Sequence, residues 1–168
     1  MKSKIIMLFI VSLFCTSGCI STNISHGDLP GEGQSIAFMG AKLNGDIYIY
    51  RVSVAQENKN VYQIDGAFNL SSKNPAEAIF LMPGRYYFTN ANYANLVILL
   101  NNPKKIFKID NNYINYIGTM VFDSDQANMV FNARLDDSME SYKIAIENFK
   151  LKFPELSRKY KFKYSLLN

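Results

Sequence analysis

Tryptophan is absent from the 168 residues, histidine occurs once and cysteine twice. The lone histidine, His26, lies in a Ser/Asn/Gly/Pro-rich stretch without a fixed acid or nucleophile beside it, so no Ser-His-acid triad can be assembled in a folded core. No Gly-x-Ser-x-Gly and no glycine-rich phosphate loop ending in Lys-Ser or Lys-Thr occurs. Zinc lacks ligands. Residues 123–128 have the outline of a calcium loop, yet the sixth position is Asn128 and the twelfth Arg134, where such loops need Gly and Glu. Long apolar runs are also scarce. Ile5 to Phe14 is interrupted only by Ser12, and the longest later run is Leu96 to Leu100, against roughly 20 residues needed to span a bilayer. These absences exclude the common hydrolytic, zinc, calcium and phosphate-loop chemistries without naming a partner.

Apolar residues make up 48% of the chain and aromatics 14%, while charged residues reach only 19%. That balance excludes a disordered chain, and the length fits one domain. At the N-terminus, Lys2 and Lys4 precede the apolar run and Thr16-Ser17-Gly18 follows it. Basic, apolar and small-residue parts in that order predict a secretory signal over residues 1–18.

Thr16-Ser17-Gly18-Cys19 resembles the lipobox of bacterial lipoproteins, with Thr16 where that family usually has Leu. The resemblance implies that Cys19 is lipidated and becomes the first residue. Ordinary signal cleavage after Gly18 is the alternative, and it would leave an unlipidated periplasmic or secreted protein. Cys15 is discarded either way, so Cys19 is the only mature thiol and no internal disulfide forms. In an oxidising compartment acylation gives that thiol a purpose. Ile20 stands where the family places an Asp for inner-membrane retention, which implies the outer membrane, the domain facing the periplasm or the cell surface.

Residues 19–35 read as a lipidated start and flexible tether, with Gly27, Pro30, Gly31 and Gly33 closely spaced. As a flexible coil, the part from Ser21 to Ser35 reaches about 20–23 Å. From Ile36 onward β-branched and aromatic runs are separated by turn residues. Pro83-Gly84 predicts a tight reversal between residues 78–82 and 86–88. About seven to eight short strands predict a mainly β chain, an antiparallel sandwich. One amphipathic helix follows at about 137–152, with Asp137 as N-cap, Glu140 completing a capping box, and Pro154 ending it. Met139, Tyr142, Ile146, Phe149 and Phe153 give it one apolar stripe. The domain therefore spans 36–168.

Phe80-Leu81-Met82-Pro83-Gly84-Arg85-Tyr86, the Tyr116-Ile117-Gly118-Thr119 motif, the Asp-rich helix start and Phe153-Pro154-Glu155-Leu156 together resemble a group of small bacterial lipoproteins. Those carry a prealbumin-like sandwich, similar to carboxypeptidase regulatory domains and of Ig-like build. The resemblance implies fold and anchoring and carries over no catalytic residue.

The segment 158–168 is the most distinctive. Arg158, Lys159, Lys161 and Lys163 interleave with Tyr160, Phe162 and Tyr164, which in an extended chain puts lysines on one face and aromatics on the other. One reading is an edge strand guarded by lysines. The other is a basic stripe for anionic lipid, lipopolysaccharide or an acidic envelope partner. Nucleic acid is not expected for an exported protein. Without Lys2 and Lys4 the mature chain has 16 basic and 14 acidic groups, a net +2. Residues 143–168 hold seven basic and two acidic groups, so this +5 leaves −3 elsewhere. A second basic group comprises Lys104, Lys105 and Lys108. The sequence thus points to an outer-membrane-anchored, non-catalytic binding or assembly module with no cofactor or metal beyond its lipid. An envelope hydrolase with carboxylates assembled by the fold stands as the alternative.

Overall fold

The computed structural model describes residues 22–44, 49–59, 63–93, 96–100, 104–125 and 130–167. The predicted signal segment, Cys15, Cys19 and residues 101–103 and 126–129 lie outside them. The chain is mainly β. In order come β1 (Ser35–Asn44), β2 (Ile49–Gln56), β3 (Gly66–Ser71), β4 (Ala76–Leu81), β5 (Gly84–Tyr93) and β6 (Leu96–Leu99). Next are β7 (Ile106–Ile109), β8 (Tyr113–Asp125), β9 (Val130–Asp136), α1 (Met139–Lys152), α2 (Pro154–Lys159), β10 (Lys161–Tyr164) and β11 (Leu166–Leu167).

Eleven strands among the described residues exceed the seven or eight expected; β11, with two residues, is too short to give a period-two signal of its own. They form two sheets, β10-β8-β1-β4 with β9 also on β8, and β11-β7-β5-β2-β3 with β6 also on β5. The pairing is not wholly antiparallel. β8 runs parallel to β1 on one side and to β10 on the other, and both partners lie dozens of residues away in the chain. Pro83 does mark a sharp reversal, but one that carries the chain from the first sheet to the second.

Alternating residues of both sheets share one core, including Met39, Val52, Phe68, Phe88, Phe107 and Phe122. Each such side chain contributes about 1.5–3 kcal/mol when fully buried. The outer face of the first sheet carries a second cluster, where Ile36, Phe38 and Tyr116 meet Ala145, Phe149 and Phe153. The predicted stripe thus docks α1 on the sheet, although Met139 at its start is exposed. The N-cap is Ser138 rather than Asp137, its hydroxyl accepting from the Ser141 N–H at 3.2 Å. A serine hydroxyl one residue on satisfies the same orphan donor. Pro154 ends α1 and also opens α2, so Arg158 and Lys159 are helical rather than part of a terminal strand.

The Tyr116-Ile117-Gly118-Thr119 motif is a bulge. β8 carries an extra residue against β1 between Phe38 and Gly40, and Gly118 takes φ 111°, where a Cβ would sit 2.5 Å from Leu135.

Residues 22–34 have no regular structure, as expected of a tether, but they are not free of the domain. Asn23 exchanges two 2.8 Å hydrogen bonds with the Asn69 backbone on β3, and the Ile24 N–H donates to Ala78 on β4. Ile24 is buried, which overrides the polar composition around it. This segment closes one side of the paired sheets. Opposite, the chain passes from β10 on β8 directly to β11 on β7 and so joins the other side.

Candidate functional site

β10 places Lys161 opposite Tyr113 and Lys163 opposite Asn115 along β8. Phe162 packs edge-on against Phe38 and Phe149, and Tyr164 against Tyr116 and Tyr142, so the aromatics anchor this strand under α1. Lysines interleaved with these aromatics project elsewhere. Lys163 makes a short ion pair with Asp110, and Lys108 reaches the same carboxylate at 2.9 Å. The two basic groups, 55 residues apart in sequence at their joining lysines, therefore meet on one acid. Hydrogen bonds from Lys163 first and Lys108 second hold the Asp110 carboxyl below its usual range. The same bond raises the Lys163 ammonium.

The other basic residues spread out around this pair. Lys105 approaches Asp137 at 3.9 Å, and Lys104 lies 4.1 Å from the centre of the Tyr87 ring. Lys159 sits over Tyr160, and Arg158 donates to the Pro154 carbonyl within its own helix. Lys161 is exposed. Arg85, opposite Lys108 in the β5–β7 ladder, is held by Glu57 at 2.6 Å. His26 is exposed on the N-terminal segment, near Phe153 and Leu156.

Asp110 was legible in the sequence only as part of a turn. What fixes it is Asn115, fully buried in β8. The Asn115 amide donates to the carbonyls of Asp110, Ile36 and Tyr113 at 3.0–3.1 Å and accepts from the Asp110 N–H and the Ser165 hydroxyl. Ser35 adds a bond to the Asp110 carbonyl at 2.8 Å. An asparagine inside an otherwise apolar, aromatic strand was the signal available, since a buried amide must find partners.

Three other carboxylates are engaged. Asp136, beside a groove of about 320 Å³ between α1 and β1, accepts from the Ser138 N–H and the Ser141 hydroxyl, which keep it well ionised. Asp123 faces Arg134 and the Asn44 amide. Buried Glu77 pairs with Lys152 at 2.7 Å. Among the described residues no three His, Cys, Asp or Glu side chains gather as metal ligands, and no helix is long and apolar enough to cross a membrane. Next to Asp110 in the chain, the turn 111–113 lines a half-open cavity of about 190 Å³ together with residues 30–31, 33–36 and Tyr160.

Comparison with family models, with curated proteins and with solved structures finds no match to this chain.

Proposed function

We propose that this chain is a lipoprotein of the bacterial outer membrane, held by lipid on Cys19, whose domain binds an acidic envelope partner rather than catalysing a reaction. The observation that carries this reading is the convergence of Lys108 and Lys163 on Asp110. Two cations on one carboxylate leave a local excess of positive charge, and exposed Lys161 extends it along the β8 edge. Such a field steers an acidic surface and fixes its register more than it adds raw affinity. In the same reading the two sheets form a prealbumin-like, Ig-like sandwich enlarged by edge strands and roofed by α1. The leader and tether would then hold the domain close to the membrane.

Crosslinking in the intact envelope followed by mass spectrometry tests this. Lys159→Gln with Lys161→Gln removes two charges that make no ion pair with the described residues, so folding is spared. A reproducible partner lost in that variant, and recovered at full length with Arg at both positions, is the expected result. A partner profile unchanged by the substitutions overturns the basic-face reading. A deep site with convergent, unpaired acids in an experimental structure would favour the hydrolase.

A further inference from the structure

The N-terminal segment sets how far the domain can stand from whatever holds Cys19. Asn23 exchanges two 2.8 Å hydrogen bonds with the Asn69 backbone of β3. The next residue, Ile24, is buried and its N–H donates to the Ala78 carbonyl of β4. The chain is thus clamped to one strand of each sheet, on the side away from β10 and β11. Only four residues separate Asn23 from Cys19, and four residues span at most about 13–14 Å. The leash is therefore the few residues before the clamp, not the whole Ser/Asn/Gly/Pro-rich stretch.

Cations flank the clamp. Arg51 stands opposite Asn69 in the β2–β3 ladder, and Lys73 lies in the turn from β3 to β4. Both are exposed, and neither side chain makes an ion pair with the described residues. Arg51 also stands opposite Asn92, and Asn92 opposite Val97, an exposed aliphatic. Residues opposite one another in a ladder share a face, so this row of the second sheet carries a cation beside the clamp and an apolar group at its far edge. Turning the basic face to a bilayer instead conflicts with the leash. β10 is three strand spacings from β4, and β7 three from β3, about 14 Å along either sheet. The reach of the Lys161 and Lys108 side chains adds to that, lifting Asn23 further than four residues extend.

We infer that the β3 side of the second sheet is the face on which the domain rests against its membrane, with Arg51 and Lys73 on phospholipid phosphates. The basic face is then turned away from the bilayer, toward its acidic partner. This rests on the reading of Cys19 as lipidated. Acyl chains hold that residue at headgroup depth, and a leash this short keeps the clamp within about one to two Debye lengths of the anionic surface. Arg51 has the planar fork that takes a phosphate bidentately.

Spin labels on Ser72→Cys, in the exposed turn after β3, and on Lys161→Cys test this, because an acylated Cys19 leaves no other free thiol in the mature chain. The acylated full chain is placed in vesicles of phosphatidylethanolamine and phosphatidylglycerol that carry a nickel-chelating lipid. Relaxation by nickel should be at least about threefold stronger at 72 than at 161, given the width of the sheets. Lengthening the leash by about ten Gly/Ser residues before Thr22, together with Arg51→Gln and Lys73→Gln, should bring the two labels to equal relaxation. Equal relaxation in the native chain, stronger relaxation at 161, or a contrast that survives those changes overturns the inference. So does dipolar coupling between labels at 72 on two copies, which would make this face a self-association surface. Mass spectrometry separates the two readings. A chain without acyl groups on Cys19 overturns the anchor and this orientation together, whereas an acylated chain with equal relaxation overturns the orientation alone.

Discussion

At the scale of single residues, two acids of opposite behaviour mark where stability is set. Glu77 is 2% exposed and its second oxygen has no hydrogen-bond partner among the described residues. Burial dominates and raises its carboxyl, with the Lys152 bond pulling the other way. Removing the cation alone should therefore be costly. We expect Lys152→Met to lose about 3–5 kcal/mol in urea unfolding, and the double variant with Glu77→Gln to recover most of it, because a buried pair hurts chiefly when broken. Asp110 is the converse case, lowered by its two lysines. Its contribution is present above the unfolded carboxyl value of about 3.9 and is lost as pH falls through the lower folded value. Glu77, raised, contributes at low pH and loses that contribution as pH rises through its folded value. Melting curves from about pH 6 down to about pH 3 should show the gap between the native chain and Asp110→Asn closing as pH falls. A constant gap would mean that the lysine contacts add nothing to stability.

At the scale of elements, α1 separates what a sequence can and cannot reveal. Its apolar stripe is visible because Phe149 and Phe153 repeat at helical spacing, and both are buried against the sheet. The sequence points to Asp137 as its N-cap through the box with Glu140, although Asp136 and Ser138 beside it are residues that favour caps as well. Geometry decides for Ser138, with Asp136 accepting from the Ser138 N–H and the Ser141 hydroxyl. Ser138→Ala should accordingly cost about 0.5–2 kcal/mol. Asp137→Ala, losing only a 3.9 Å surface pair with Lys105, should cost under about 0.5 kcal/mol. Equal losses in thermal unfolding would restore Asp137 as the cap. The helix α2 was hidden because its six residues are too few for periodicity, while the lysines that follow favoured a strand. The cavity was hidden for another reason: Gln34, Asn111 and Tyr160 are distant in sequence and meet only through the fold.

At the scale of the whole molecule, mainly β character was within reach of local patterns, whereas the number of strands and the parallel partners of β8 were not. Which strand lies beside Tyr113–Asp125 is decided by packing between segments far apart, and no turn residue encodes it. The anchoring proposal belongs to this scale too. Cys19→Ser should move the protein from the membrane to the soluble fraction and leave a mature chain lighter by its acyl groups. Unchanged distribution and mass would show that lipid is not what holds it. The clip formed by β10 and β11 has a consequence in time. Both sheets wait for residues 161–167: until these arrive, the N-terminal half of β8 lacks β10 and Phe107 lacks Leu166 across the ladder. Pairings of such long sequence separation form slowly. A chain emerging from its N-terminus therefore completes these two sheet edges only once residues 161–167 have emerged.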